Sequence, residues 1–240
     1  MSIDSIIFPY LKICQPDSQA GFRFGIDSVI LAHFASLKSR DKVIDIGSGS
    51  GVLSALLVRM KGAQNVTAVE LQPEMYACLA ETVRLNAYEN VITPINADIR
   101  KYKPERSPQA KLCRFSLAIC NPPYRKASTG KTSANQVSQT ARFDDSLTLE
   151  EILRFCRSYV DYGGRFAFCG DADRLVDGLC SCREAGFEPK RLAFLYPDAA
   201  KQPRVYFLEC VYGAGAELIV EAPIIQNSPQ YIDILQGLWR

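Results

Sequence analysis

No stretch of this 240-residue chain approaches the ~20 consecutive apolar residues needed to span a bilayer. The N-terminus also lacks the basic, apolar and small-residue succession of a secretory leader, so the chain is expected to be soluble and cytoplasmic. Histidine is almost missing. The single His33 leaves a zinc site short of imidazole, and the nine cysteines include no CxxC pair, which argues against a metal centre. A disulfide framework is equally unexpected in a cytosolic setting. Several thiols fall in apolar segments, where they pack as small hydrophobes. A charge excess is absent too: 28 Lys and Arg against 26 Asp and Glu leave a formal net charge of +2, so bulk attraction to a polyanion is not advertised. No metal, no membrane partner and a monomeric state are expected.

Glycine is concentrated in one place. Val43-Ile44-Asp45-Ile46 reads as a short buried strand, followed at once by Gly47-Ser48-Gly49-Ser50-Gly51 and then by Val52, Leu53, Leu56 and Leu57 at helical spacing. Such a strand, glycine turn and helix lets the backbone approach a ligand closely and presents free N–H groups at the helix start. The GxGxG spacing departs from the GxGxxG dinucleotide fingerprint and lacks the Lys of a phosphate-binding P-loop. A second strand, Val66-Thr67-Ala68-Val69, ends in Glu70, about where an acid reaches ribose hydroxyls in a doubly wound sheet. These features imply a nucleoside cofactor.

The apolar run Leu117-Ala118-Ile119-Cys120 leads into Asn121-Pro122-Pro123-Tyr124. An exocyclic or amide nitrogen is a poor nucleophile because its lone pair is delocalised, so it must be aimed. The Asn121 side-chain carbonyl and the Pro122 backbone carbonyl offer acceptors for an NH2 group, Tyr124 offers a stacking ring, and the prolines stiffen the loop. Taken alone, the four residues also fit an ordinary strand exit, since Asn-Pro is a turn signal.

The remaining pattern alternates strands and helices. Helices are predicted over 52–60, 73–86 with Pro73 in its first turn, 148–160, 171–184 ending at Gly186, and 228–239 with Pro229 in its first turn. Strands are predicted over 91–95, 117–120 and 165–169, with a turn at Gly163-Gly164, and 189–196 with 205–212 as an antiparallel pair. The result is one α/β domain over 1–240, a doubly wound and mostly parallel sheet covered on both faces. In such sheets ligands lie beyond the carboxyl ends of the strands, where the glycine turn, Glu70, Asp98 and Asn121 all fall. Arg100, Lys101, Lys103, Arg106, Lys111 and Arg114 precede the fourth strand, and Arg125, Lys126, Lys131 and Arg142 follow the Asn-Pro-Pro-Tyr loop. A basic rim at that edge fits a nucleic acid substrate. The polar stretch 127–140 has almost no apolar content and is expected to order only with substrate.

Asp45 to Gly51, Glu70, Asp98 and Asn121 to Tyr124 together resemble the class I S-adenosylmethionine-dependent methyltransferases that carry an NPPY motif. Gly21-Phe22-Arg23-Phe24-Gly25-Ile26-Asp27-Ser28-Val29-Ile30-Leu31-Ala32, Ala141-Arg142-Phe143-Asp144 and the tail from Arg204 through Ile225 are similar to the bacterial enzymes that methylate adenine N6 beside the anticodon of a valine tRNA. One departure is Phe143, where that family's pattern suggests His; Asp144 likewise stands in place of Glu.

The resemblance implies a seven-stranded sheet closed by the C-terminal antiparallel pair, an N-terminal extension 1–40 on the cofactor side, S-adenosyl-L-methionine as cofactor and tRNA as partner. Asp45 is then placed near the cofactor's amino group, Gly47, Gly49 and Gly51 along its backbone contacts, Glu70 with Leu71 at its ribose, and Asp98 with Ile99 at its adenine. Phe24 and Asp27 fold over it. Asn121, Pro122 and Tyr124 carry the transfer, while Pro123, Tyr124, Arg125, Lys126, Lys131 and Arg142 meet the substrate. His33 is expected to be structural. The same motif also serves guanine N2 in ribosomal RNA, adenine in DNA or a glutamine amide in a release factor, and a non-catalytic RNA-binding scaffold keeps the same fold.

Overall fold

The structure is a computed structural model that describes residues 2–6, 11–16, 25–104, 114–122 and 147–238. An antiparallel pair, β1 (Ser2–Ile6) and β2 (Leu11–Gln15), precedes helix α1 (Ile26–Phe34). The alternating body follows as β3 (Val43–Ile46), α2 (Val52–Lys61), β4 (Val66–Glu70), α3 (Pro73–Leu85), β5 (Ile92–Asn96) and β6 (Phe115–Cys120). After these come α4 (Leu149–Tyr159), β7 (Val160–Asp171), α5 (Leu175–Glu184), β8 (Phe187–Tyr196), β9 (Val205–Tyr212), β10 (Ile219–Val220), β11 (Ile224–Ile225) and α6 (Pro229–Gln236).

The main sheet runs β5-β4-β3-β6-β7-β9-β8, and every pair from β5 to β7 is parallel. β9 turns back antiparallel and inserts between β7 and β8. These seven strands realise the expected doubly wound sheet with its antiparallel C-terminal pair. Two further strands of two residues each, β10 and β11, add along β8 and were not anticipated. The sequence reason for the parallel centre is plain in β3, whose four residues are all buried; a strand covered on both faces needs no alternation. Pro94 sits in β5, the strand at the sheet edge, where a missing N–H is tolerated.

Two apolar layers cover the sheet. One gathers Leu31, Leu56, Leu57, Leu79 and Phe207 with α1, α2 and α3, and the other gathers Ile44, Phe155, Cys156, Phe166 and Phe168 with α4. Helix α4 opens with a capping box: Thr148 Oγ1 accepts from the Glu151 N–H at 3.2 Å, and Glu151 accepts from the Thr148 N–H at 2.9 Å. The predicted turn at Gly163-Gly164 lies inside β7, which begins five residues earlier than expected, at Val160. There Phe115 pairs with Val160 but Leu117 with Arg165, so the extra residues form a bulge and Gly163 adopts a φ of 78°. The helix predicted from 171 starts as a 3-10 turn, Ala172–Arg174, before α5.

The N-terminal residues lie in two places. β2 rests on α3 through the Cys14 N–H to Thr82 Oγ1 (3.0 Å) and Asn86 Nδ2 to the Lys12 carbonyl (2.7 Å). Helix α1 packs on α2, α6 and β7. Its C-terminal carbonyls, negative ends of the helix dipole, are met by cations: Lys61 Nζ donates to the His33 and Ala35 carbonyls, and Arg191 Nη1 to that of Phe34 at 3.0 Å. Arg165 Nη1 donates to the Ser36 carbonyl at 2.7 Å while pairing with buried Asp41, and the Ser36 N–H donates to Glu209 at 2.7 Å. Cations from β7, β8 and α2 thus fix where α1 lies. Surrounded by burial, Lys61 and Arg191, His33 has its pKa lowered to about 4, as suits a structural imidazole.

Candidate active site

The glycine turn leaves β3 and curls under the next strand. The Gly47 and Ser48 N–H groups both donate to the Val69 carbonyl, at 2.9 and 3.0 Å, and the Gly51 N–H closes the turn on the Ser48 carbonyl at 2.9 Å. Gly47, Gly49 and Gly51 have φ of 68°, 57° and 81°, values that an L side chain resists. Their surroundings differ. A Cβ on Gly51 would lie 2.5 Å from Leu79 Cδ1, so this glycine serves the close packing of α2 on α3, whereas a Cβ on Gly47 would meet nothing within 4 Å. Gly47 therefore borders open space at the end of the strand. Beside it Ser48 Oγ is buried and has no hydrogen-bond partner among the described residues. Open space beside a left-handed glycine, next to a buried hydroxyl with no partner among the described residues, suits the close approach of a polar cofactor.

Two acids flank this turn. Asp45 is 1% exposed and accepts from Ser54 Oγ at 2.6 Å. Burial, with Glu70 nearby, pushes its pKa up to about 7 against the lowering effect of the Ser54 hydrogen bonds. Glu70, at the end of β4, accepts from the Gly49 N–H through one oxygen and from the Gln72 N–H through the other, each at 2.8 Å. Burial raises its pKa as well. A carboxylate has about four lone-pair sites, so Glu70 keeps acceptor capacity while its orientation is set by the turn. Leu71, which follows it, is 44% exposed.

β6 ends beside these groups, and Asn121 and Pro122 continue from it. Asn121 Nδ2 donates to Ser28 Oγ on α1 at 2.8 Å, and the Cys169 thiol on β7 donates to Asn121 Oδ1 at 3.3 Å. Asp27, next to Ser28, has its pKa raised by burial and by Asp171, with Arg204 opposing. On the other side of the turn, Ile99 is buried and the Asp98 carboxylate is gripped by the Arg100 Nε at 2.8 and 3.0 Å, which lowers its pKa. Asp98 therefore carries its own cation, and Arg100 also lies 3.9 Å from Glu151.

The parallel registers, Asp45 beside Ala68 and Ile119, and Glu70 beside Asn96, place Asp45, the glycine turn, Glu70, Asp98 and Asn121 along one sheet edge. Phe24, Pro123, Tyr124, Arg125, Lys126, Lys131, Arg142 and Phe143 lie outside the described residues, as do the stretch 127–140, Arg106 and Lys111. Three contacts at the site were missed in the sequence: Ser54 on Asp45, and Ser28 and Cys169 on Asn121. Ser54 left a faint signal as a hydroxyl among the buried apolar positions of α2. No group of three or more His, Cys, Asp or Glu side chains with metal-holding geometry occurs among the described residues. Burial pushes the Cys120 and Cys156 thiols up, which suits packing rather than ligation.

Residues 31–113 match the family described as the TRM5/TYW2 methyltransferase domain. Among solved structures, a predicted O-methyltransferase from Agrobacterium tumefaciens superposes with a TM-score of 0.65 at 19% identity, over 88% of this chain and 96% of that one. The chain has the methyltransferase fold. Methanocaldococcus jannaschii TYW2, solved in complex with AdoMet, shares that fold at a TM-score of 0.54 and 16% identity, over 88% and 86% of the two chains. In sequence, the tRNA1(Val) (adenine(37)-N6)-methyltransferase of Aliivibrio fischeri is 29% identical over 152 residues, a match covering 62% of this chain and 59% of that enzyme.

Proposed function

We propose that this chain is an S-adenosylmethionine-dependent methyltransferase that modifies N6 of an adenine in tRNA, beside the anticodon of a valine tRNA. The observation that carries the chemistry is the meeting of the glycine turn, Glu70 and the Asn121-Pro122 strand exit at one sheet edge. The choice of adenine in tRNA rests on the relative from Aliivibrio fischeri. In this reading the domain spans 1–240, acts as a monomer in the cytoplasm, and its N-terminal extension closes the cofactor side through Asp27 and Phe24.

When bound, S-adenosylmethionine supplies a methyl group made electrophilic by its sulfonium sulfur. Gly47, Gly49 and Ser48 would border its place, Glu70 would accept from its ribose hydroxyls, and Asp45 would attract its amino group. Leu71 and Ile99 would line the nucleoside end, and Asp98 would meet the adenine. Asn121 Oδ1 and the Pro122 carbonyl accept from the target NH2, turning its lone pair toward the methyl, while Tyr124 stacks on the base beside Pro123. Catalysis is then chiefly alignment, with the amine proton released to solvent after transfer. The target base must be unstacked first, at a cost of about a few kcal/mol, which a loop adenine meets more easily than a paired one. Among the basic residues, Arg100 is occupied by Asp98 and lies near Glu151, so exposed Lys101 and Lys103, with Arg125, Lys126, Lys131 and Arg142, are the better phosphate contacts.

The test is transfer of labelled methyl from S-adenosylmethionine into separate tRNA, rRNA, DNA and protein fractions, followed by mass analysis of nucleosides. N6-methyladenosine in tRNA is expected. Label in another fraction overturns the substrate, and no label anywhere favours a non-catalytic scaffold.

A further inference from the structure

We propose that Ser28 is a positioning residue for Asn121, fixing the side-chain amide that aims the target nitrogen; this rests on the reading of Asn121 as the amine acceptor. The torsion that orients an asparagine amide is soft and broad, so a strand-end Asn needs outside contacts to hold one plane. Asn121 has them on both ends of the amide. Its Nδ2 donates to Ser28 Oγ at 2.8 Å, and its Oδ1 accepts from the Cys169 thiol at 3.3 Å. The first contact is the stronger, because a thiol is a weak donor.

Ser28 is itself well held. It is 3% exposed, its N–H donates to the Gly25 carbonyl at 3.2 Å, and it sits in the first turn of α1. The far end of α1 is pinned by Lys61, Arg191 and Arg165 through the carbonyls of residues 33–36. A helix fixed at its C-terminus thus presents one hydroxyl to the end of β6. With Nδ2 held by Ser28 and Oδ1 by Cys169, the plane of the amide is fixed at both ends. This links an N-terminal segment, otherwise read as a cofactor cover, to the geometry of methyl transfer.

Ser28→Ala removes only the hydroxyl. Loss of one orienting hydrogen bond is expected to lower kcat about tenfold while leaving cofactor affinity within about twofold, since alignment rather than binding is lost. The Ser28→Ala/Asn121→Ala double variant is expected to be no slower than Asn121→Ala alone. A purely structural loss would instead be additive and would weaken cofactor binding. Independently of turnover, the Asn121 side-chain NH2 signals, assigned by their disappearance in Asn121→Ala, are expected to exchange with solvent about tenfold faster in Ser28→Ala once the hydrogen bond is gone. Unchanged exchange, or additive effects in the double variant, overturns the proposal. Should the wild-type chain methylate no acceptor, the functional reading fails, and the exchange measurement alone decides whether Ser28 holds the amide.

Discussion

Asp45 makes the titration of this fold predictable near neutral pH. Its carboxyl is buried with a pKa of about 7, against 3.8 for an ordinary aspartate. Between those values the native state holds a proton that the unfolded chain has released, so stability falls as pH rises. The stabilisation is fully present below about 3.8 and is lost as pH passes through about 7. From pH 6 to pH 8 this single group should remove about 1 kcal/mol, equivalent to a fall in Tm of about 2 to 4 °C for a domain of this size. The assay is urea unfolding of wild type and Asp45→Asn at pH 6, 7 and 8. Asn keeps an acceptor for Ser54 but cannot ionise, so its stability should change less over the range by that amount. Glu70 and the buried Cys120 thiol remain in both proteins but are coupled to Asp45 by charge, so the difference reports Asp45 together with that coupling. Parallel pH dependences would refute the reasoning. A bound ligand with an amino group beside Asp45 should lower its pKa, so S-adenosylmethionine is expected to bind more tightly at pH 8 than at pH 6 in wild type and to lose that dependence in Asp45→Asn.

Two glycines in the same turn should separate packing from ligand approach. Gly51→Ala meets Leu79 Cδ1 at 2.5 Å in a left-handed backbone, and a loss of about 2 to 4 kcal/mol in unfolding experiments is expected. Gly47→Ala carries only the backbone strain of about 1 to 2 kcal/mol, yet it should weaken cofactor binding in calorimetry, because its Cβ enters the open space of the site. Asn121→Ala should lose most turnover with cofactor affinity unchanged; wild-type activity in that variant would sink its role. Thr148→Ala removes the side-chain half of the α4 capping box and should lower stability by about 1 kcal/mol, read from the shift in thermal midpoint.

The turn from β3 into α2 was legible because several signals coincide within a few residues: an apolar strand, glycines where φ is positive, and helical spacing after them. Once strands are parallel, topology alone brings each of their carboxyl ends to one edge, so Asp45, Glu70, Asp98 and Asn121 could be grouped without any contact being known. What escaped is of another kind. β2 has four buried residues in five and no alternation, and its hydrogen bonds run to Thr82 and Asn86, far along the chain. β10 and β11 are two residues long and exist as strands only by pairing with β8. The partners of Asn121 lie 93 and 48 residues away: Ser28 on a helix placed by Lys61, Arg165 and Arg191 rather than by its own sequence, and Cys169 on β7. Local pattern therefore reveals which residue types arrive at the edge, whereas their aim comes from long-range packing. For a reaction limited by aligning a weak nucleophile, the second is the larger part of the chemistry, and it is why the hydroxyl of Ser28 matters as much to the reading as the motif it steadies.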